Sequence, residues 1–178
     1  NAAVLINASR GEVIEENDLL AFLESRPDVF SILDVWINEP DINLDLMALT
    51  TIATPHIAGY SRRAKTLATK MLAESFNELM WAGEGHFPNL EESTPVKLVL
   101  KNTILASVET AVSCALPIED WSVDFKRQIT GSENRGGAFD KFRKTMINRY
   151  EFSDFEIAVP QLNSQKLAIL KNLGFKLT

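Results

Sequence analysis

Residues 2–9 read Ala-Ala-Val-Leu-Ile-Asn-Ala-Ser, a short and almost wholly apolar run that is typical of a strand buried in a parallel sheet. Gly11 ends this run, and a helix with Asn17 as its N-cap is predicted to follow. Next come a second buried strand, Ser-Ile-Leu-Asp-Val-Trp at 31–36, and a third short strand at 51–54. This alternation predicts an α/β fold with parallel strands and crossover helices.

The pattern changes after residue 60. One long helix is predicted over 61–81, followed by a connector rich in Gly and Pro up to Pro95. Residues 96–178 then alternate between short strands and helices, as in a small α+β domain. The predicted strands of this part cover 96–100, 155–159 and 175–177, the helices cover 104–116, 138–149 and 164–173, and a loop covers 130–137. We therefore divide the chain into 1–60, 61–95 and 96–178.

Composition excludes several classes of protein. The chain has 178 residues, 46% of them hydrophobic, which is ordinary for a globular protein and excludes wholesale disorder. Its net charge of −6 argues against binding nucleic acid, and no apolar run reaches the roughly 20 residues that span a bilayer. The single cysteine, Cys114, excludes an internal disulfide and a multi-cysteine metal site, so we expect an intracellular protein without a metal.

Four polar residues follow the predicted strands of the first segment. Arg10 follows the first strand, Asp34 and Glu39 lie near the end of the second, and His56 follows the third. Because ligands of open parallel sheets bind at the carboxyl ends of the strands, we expect these residues to lie near one site.

These residue types suit the oxidation of a 2-hydroxy acid. An arginine can hold a carboxylate through two parallel hydrogen bonds, and a histidine beside a carboxylate can take a proton near neutral pH. A simpler interpretation stays open, in which Arg10 is a surface residue and His56 is structural. The charged residues at 140–144 are interpreted as a solvated helix face.

Three motifs resemble the D-isomer-specific 2-hydroxyacid dehydrogenases. Residues 4–14, Val-Leu-Ile-Asn-Ala-Ser-Arg-Gly-Glu-Val-Ile, are similar to the segment around the catalytic arginine of that family. Leu-Asp-Val-Trp at 33–36 with Asn-Glu-Pro at 38–40 resembles its acidic motif, and Thr-Pro-His-Ile-Ala-Gly at 54–59 resembles its catalytic histidine motif. The resemblance implies an NAD-dependent oxidoreductase. It also implies that residues 1–60 form the C-terminal part of a Rossmann-type, doubly wound parallel sheet.

Two further features resemble one branch of this family. The histidine motif continues with Tyr60, where many members carry a small residue, and the chain continues into 96–178, which resembles the C-terminal dimerisation domain of that branch. The resemblance implies a small phosphorylated 2-hydroxy acid as substrate, a homodimer formed through residues 96–178, and a cytoplasmic location.

The resemblance also implies a role for each matching residue. Arg10 would bind and activate the substrate, and Tyr60 would donate a hydrogen bond to it. Glu39 would orient His56, which would be the general acid and base. The cofactor-binding positions are Ala8, Ser9 and Arg10 at the nicotinamide, Asp34 at its carboxamide, and Gly59 at a close approach of the backbone. Arg62 or Arg63 is a weaker candidate for holding the phosphate.

The chain departs from the family in three respects, two of which are that it lacks an acidic residue to hold the adenine ribose and lacks the N-terminal substrate-binding portion. No Gly-x-Gly-x-x-Gly turn follows any predicted strand, although the family uses one to bind the NAD pyrophosphate. We therefore expect the C-terminal piece of a longer enzyme, inactive and weak in NAD binding by itself. Two alternatives stay open: a relative acting on another acid, such as a phosphoglycerate or lactate dehydrogenase, or a non-catalytic module that dimerises or senses NAD.

Overall fold

The computed structural model describes residues 3–81, 96–97, 107–158 and 162–178. In chain order the elements are β1 (Ala3–Asn7), α1 (Glu16–Ser25), β2 (Val29–Leu33), α2 (Leu44–Leu49), β3 (Ile52–Ala53), α3 (Arg62–Trp81), β4 (Val96–Lys97), α4 (Val108–Ala115), α5 (Ile118–Thr130), α6 (Arg135–Thr145), β5 (Phe155–Ile157), α7 (Ser164–Leu173) and β6 (Lys176–Leu177). They form an α/β protein, as predicted.

The chain folds as two compact units that differ from the predicted segments. The first unit comprises 1–60 with 118–147, and the second comprises 61–117 with 148–178. Helices α5 and α6 therefore pack with the N-terminal strands, although the sequence places them within 96–178. The physical reason is apolar burial, since four side chains of these helices belong to the core of the first unit. They are Phe125, Ile129, Phe139 and Phe142.

The first unit contains a parallel sheet in the order β1-β2-β3, which confirms the predicted parallel strands. Asn7 lies beside Leu33, and Leu33 lies beside Ala53. The three strands thus end at the same level, so the residues that follow them share one edge of the sheet. This register brings the predicted site residues to a common place.

One face of this sheet packs on the core and the other does not. Leu5 contacts the core cluster, whereas its neighbours Val4 and Ile6 are 65% and 63% exposed. Phe30, which lies beside Val4, is also exposed. Successive side chains of a strand alternate between faces, so the open residues share one face. The expectation that residues 2–9 form a fully buried strand is wrong for this reason, and the doubly wound arrangement stays a prediction.

Helix α5 covers the third strand. The hydroxyl of Ser122 accepts a hydrogen bond from the backbone N–H of Ala53 at 2.9 Å, inside the core. Lys126 donates from Nζ to the carbonyl oxygen of Thr50, at the end of α2. Burial of the Lys126 ammonium lowers its pKa below the usual lysine value. The edge of β3 is thus hydrogen-bonded by a helix instead of another strand.

Several element ends differ from the predictions. Helix α1 begins after Glu15, whose carboxylate accepts from the N–H of Asp18, so Asn17 is not the cap. The second strand covers Val29–Leu33 and not 31–36, because its pairing with β1 ends at Leu33. Helix α6 begins inside the predicted loop 130–137, where Asn134 caps it through the N–H of Gly137. The sequence analysis assigned no element to the residues of α5.

The second unit has its own parallel sheet, in the order β4-β5-β6. Its core contains Ala111, Ala115, Phe155, Ile157, Leu170 and Phe175. The predicted helix 164–173 is confirmed as α7, capped by Asn163 and ended by Gly174 at φ 105°. The predicted strands 96–100 and 155–159 are seen as β4 and β5, with 98–100 and Val159 outside the described residues, as is the connector before Pro95.

Helix α3 confirms the long helix predicted over 61–81. Ser61 caps it by accepting the N–H of Ala64 at 3.0 Å, and Arg63 forms an ion pair with the buried Asp154 at 3.2 Å. In the part of the chain that the structure describes, no helix combines the length and the apolar character needed to cross a membrane.

Candidate active site

Asn7 shapes the turn that follows β1. Its side-chain oxygen accepts hydrogen bonds from the backbone N–H and the hydroxyl of Ser9, and its amide donates to the carbonyl oxygen of Arg10. Asn7 is itself buried. A buried amide that satisfies three groups of one turn fixes that turn in a single conformation. The sequence analysis did not single out Asn7, although Asn at the end of a strand is a turn signal.

Arg10 is exposed and extended at the end of this turn. Its guanidinium donates to the carbonyl oxygen of Ser9 at 2.6 Å. Arg10 lies on the same sheet edge as Glu39 and His56, and among the described residues no hydrogen bond or ion pair joins it to either of them. Gly11 follows it, and a Cβ there would lie 2.3 Å from the backbone of Trp36. The turn is therefore pressed against the loop after β2.

Asp34 holds the loop that carries the histidine. It is buried, and its Oδ1 accepts hydrogen bonds from the Thr54 hydroxyl at 2.6 Å and from the N–H of Ile57 at 2.8 Å. Its Oδ2 accepts from the N–H of Ala58 at 2.8 Å. A carboxylate that accepts several such bonds organises the backbone around it. This contact with the histidine loop is not among the roles that the sequence analysis gave to Asp34.

Glu39 and His56 meet directly. Oε2 of Glu39 lies 2.8 Å from Nδ1 of His56, and both side chains are about three-quarters buried, with 25% and 29% exposed. Oε1 of Glu39 accepts the backbone N–H of Trp36 at 2.9 Å. Because a carboxylate only accepts, the pairing places a proton on Nδ1 and leaves Nε2, on the other side of the ring, for proton transfer.

Two loops of uncommon backbone geometry produce this pair. Asn38 has φ 60° and His56 has φ 54°, both in the left-handed region, which is uncommon for residues other than glycine. The indole N–H of Trp36 donates to the carbonyl oxygen of Thr54 at 2.9 Å and joins the two loops inside the protein. Backbone strain of this kind persists only where the surroundings hold it, and it concentrates at functional sites.

The turn after His56 has room for a ligand. Gly59 has φ 70°, and a Cβ there would have no atom within 4 Å. Tyr60 closes the turn with a hydrogen bond from its N–H to the carbonyl oxygen of Ile57. The residues that follow β1 are also exposed, and they are Ala8, Ser9 and Arg10. The cofactor-binding positions predicted here thus lie on accessible backbone at one sheet edge, with Asp34 buried beneath the histidine loop.

Arg143 of helix α6 was assigned to a solvated face, and the structure places it elsewhere. Its Nε donates to the carbonyl oxygen of His56 at 2.9 Å, and its guanidinium carbon lies 4.4 Å from the centre of the Tyr60 ring. No local sequence signal connects these residues. Of the two weaker candidates for phosphate, Arg62 donates to Asn148 and Arg63 pairs with Asp154.

Comparison with known protein families covers the N-terminal part of the first unit, where Arg10, Glu39 and His56 lie. Residues 1–58 match the family described as D-isomer specific 2-hydroxyacid dehydrogenase, NAD binding domain. The match includes Arg10, Glu39 and His56, and it supports NAD as the cofactor of the matched segment.

The rest of the chain also has relatives. The erythronate-4-phosphate dehydrogenase of Stutzerimonas stutzeri is 35% identical over 185 residues, covering 98% of this chain and 47% of that protein. The enzymes of the same name from Ectopseudomonas mendocina and Tolumonas auensis are each 34% identical and cover 97% and 98% of this chain, and 47% and 46% of the relatives. The chain therefore spans about half the length of the curated relatives it matches.

The residues of the matched segment fit one end of NAD. The open space at Gly59 and the exposed backbone at 8–10 suit the close approach of a flat nicotinamide ring. The sequence of this chain contains no Gly-x-Gly-x-x-Gly turn for the pyrophosphate. The match between residues and cofactor is thus limited to the nicotinamide end.

Proposed function

We propose that this chain acts as the C-terminal part of an erythronate-4-phosphate dehydrogenase. The reaction is the NAD-dependent oxidation of 4-phospho-D-erythronate to 2-oxo-3-hydroxy-4-phosphobutanoate, a step of pyridoxal 5′-phosphate (vitamin B6) biosynthesis. The observation that carries the proposal is the pair of Glu39 Oε2 and His56 Nδ1 at 2.8 Å, at the carboxyl end of a parallel sheet.

The chemistry assigns one task to each residue. Arg10 binds the carboxylate of the substrate, as a planar guanidinium does through paired hydrogen bonds. His56 takes the proton of the 2-hydroxyl group at Nε2, and Glu39 holds the ring and stabilises the imidazolium that forms. When bound, NAD would supply the acceptor for the hydride on the carbon that carries the 2-hydroxyl group, so the alcohol would lose two electrons and two hydrogens in all. Tyr60 donates a hydrogen bond to the substrate.

Turnover is the direct test. The complete open reading frame that contains this chain is expressed, and NADH formation is followed with 4-phospho-D-erythronate as substrate. His56→Ala is expected to lower kcat by about 10²–10⁴-fold, the usual contribution of a general acid or base, while NAD binding persists. Loss of binding together with turnover would contradict the assigned role of His56.

Assays on the same full-length protein distinguish the proposed function from two others. Faster turnover of 3-phosphoglycerate or lactate would indicate another D-2-hydroxyacid dehydrogenase. Absence of turnover with every acid, together with NAD binding, would indicate a non-catalytic NAD-sensing or dimerising module. Calorimetry on the 178-residue chain alone is expected to show weak NAD binding, and tight binding would contradict the idea that the pyrophosphate site lies outside it.

We further propose a cytoplasmic homodimer whose interface lies in residues 96–178. A two-fold, isologous pair is the commonest form of soluble oligomer. Because residues 118–147 pack in the first unit, the test uses the whole chain and not the segment 96–178 alone. Sedimentation equilibrium is expected to give twice the mass of 19.9 kDa, and a monomer at high concentration would contradict the proposal.

A further inference from the structure

One face of helix α6 lies against both catalytic loops. Gly136 and Arg143 are seven residues apart, which places them two turns apart on the same side of the helix. A Cβ at Gly136 would lie 2.9 Å from Oδ1 of Asp41 and 3.2 Å from Cγ of Pro40, next to Glu39. A glycine here lets the helix backbone lie close to the loop of Glu39, where a Cβ would displace the Asp41 carboxylate and crowd the Pro40 ring. At its other end, the same face reaches the loop of His56.

Arg143 contacts the histidine loop at two points. Its Nε donates to the carbonyl oxygen of His56 at 2.9 Å, and its guanidinium lies on the ring of Tyr60 at 4.4 Å. The guanidinium is planar and rigid, so it fixes the distance between the two groups that it joins. A lysine could make the hydrogen bond but could not lie flat on the ring.

The backbone of His56 needs such support. Its φ of 54° lies in the left-handed region, where a residue with a Cβ is strained. Its N–H donates to the carbonyl oxygen of Asp34 at 2.6 Å, and its carbonyl oxygen accepts from Arg143. The peptide groups on both sides of His56 are therefore held, one by Asp34, which directly follows β2, and one by α6. This backbone conformation directs Nδ1 to Glu39.

We propose that Arg143 is a positioning residue for the proton transfer, and that α6 acts as the brace that sets Glu39 against His56. Gly136 lets α6 approach the glutamate loop, and Arg143 fixes the histidine loop and the Tyr60 ring. Arg143 acts through His56 and Tyr60 and does not itself touch the reacting atoms. The kinetic consequences of this inference rest on the proposed function. The effect of Arg143 on the contact between Glu39 and His56 can be tested without turnover.

The kinetic test compares three variants in the full-length enzyme. Arg143→Met is expected to lower kcat by about tenfold to hundredfold, the cost of misplacing a catalytic group by about 1 Å, while the KM for the phosphorylated substrate rises by less than tenfold through the loosened Tyr60 ring. Arg143→Lys is expected to recover part of kcat, because the ammonium can still donate to His56. Lys144→Met, at the exposed neighbouring position, is the matched control and is expected to behave as the wild type.

The geometric test uses nitrogen NMR of the imidazole rings in the 178-residue chain. The chain has two histidines, so His86→Gln assigns the signals of His56. The wild type is expected to show a slowly exchanging Nδ1–H shared with Glu39, and Arg143→Met and Gly136→Ala are each expected to weaken or lose it. Retention of that signal in both variants would overturn the brace.

The outcomes separate this inference from the proposed function. If no acid is turned over but the Nδ1–H signal depends on Arg143, the brace stands and the function fails. If turnover is found and Arg143→Met raises KM tenfold or more at unchanged kcat, Arg143 binds substrate and the positioning role is wrong. Unchanged kcat and KM in Arg143→Met would also overturn it.

Discussion

Glu39 and His56, 17 residues apart in the chain, meet at 2.8 Å through Oε2 and Nδ1. The other carboxylate oxygen of Glu39 accepts the N–H of Trp36, so the position of the carboxylate is fixed from its own loop. Each of the two oxygens has a separate task, one structural and one directed at the histidine. Because the two oxygens have different partners, a change at Glu39 affects the contact with Trp36 and the contact with His56 separately.

Glu39→Gln is expected to leave the fold intact and to lower kcat by about 10²–10⁴-fold in the full-length enzyme. The N–H of Trp36 selects the amide oxygen, so the amide NH2 group turns to His56. The ring must then accept at Nδ1, which places its proton on Nε2 and gives the wrong tautomer for taking a proton. Steady-state kinetics measure the effect, with Asp45→Asn on α2 as a control. Wild-type kcat in Glu39→Gln would contradict the role of the carboxylate.

Asp34→Asn is expected to destabilise the first unit by about 1–3 kcal/mol, the cost of leaving a buried polar group without its partner. The carboxylate accepts from Thr54, Ile57 and Ala58, and an amide cannot accept from all three. Hydrogen exchange should quicken first at the N–H groups of Ile57 and Ala58. Asp124→Asn, whose carboxylate is exposed and pairs with Arg127, is the control and should change neither stability nor exchange noticeably.

Gly11→Ala is expected to destabilise the chain by about 1–3 kcal/mol or more, because overpacking displaces backbone. The added Cβ would lie 2.3 Å from the carbonyl carbon and oxygen of Trp36, which cannot rotate away as a side chain can. Urea denaturation measures the loss. Gly131→Ala is a milder comparison, with one contact at 3.1 Å. Equal stability of the two variants would contradict the close approach of the Arg10 turn to the loop after β2.

The partly buried ammonium group of Lys126 is expected to make the stability of the folded chain depend on pH. Burial lowers the pKa of its ammonium in the folded chain, whereas the unfolded chain keeps the usual value of 10.5. The unfolded state therefore binds more protons between these two values, and stability rises with pH across that window. The wild type is therefore expected to gain unfolding free energy relative to Lys126→Met as pH rises towards 10.5. A difference that falls with pH would contradict the burial of this charge.

Local sequence patterns predicted the parallel strands and the residues that follow them. A short apolar run ended by a polar turn is sufficient to locate β1 and Arg10, and the register of the sheet then brings Glu39 and His56 to one edge. The family resemblance led us to expect that these two side chains pair, and in the structure Oε2 of Glu39 lies 2.8 Å from Nδ1 of His56. The role of Asn7 could also have been predicted, because Asn at the end of a strand often hydrogen-bonds the turn that follows.

The contributions of α5 and α6 were not predictable in this way. Ser122 contacts Ala53 across 69 residues, and Arg143 contacts His56 across 87. A residue that packs at such a distance carries no periodic signal linking it to its partner. Gly136 and Gly137 also favour a loop by propensity, and the packing of α6 against Asp41 overrides that preference.

The hydrogen bond from Ala53 to Ser122 has a consequence for how the protein is made. During synthesis, all three strands of the first unit leave the ribosome well before α5 and α6 exist. Until then the edge of β3 is bare and the core lacks Phe125 and Phe139. Pairing that must wait for distant residues slows folding and exposes strand edges to aggregation. The residues proposed for catalysis are therefore translated before α5 and α6, and they reach their final geometry only after these helices have been made.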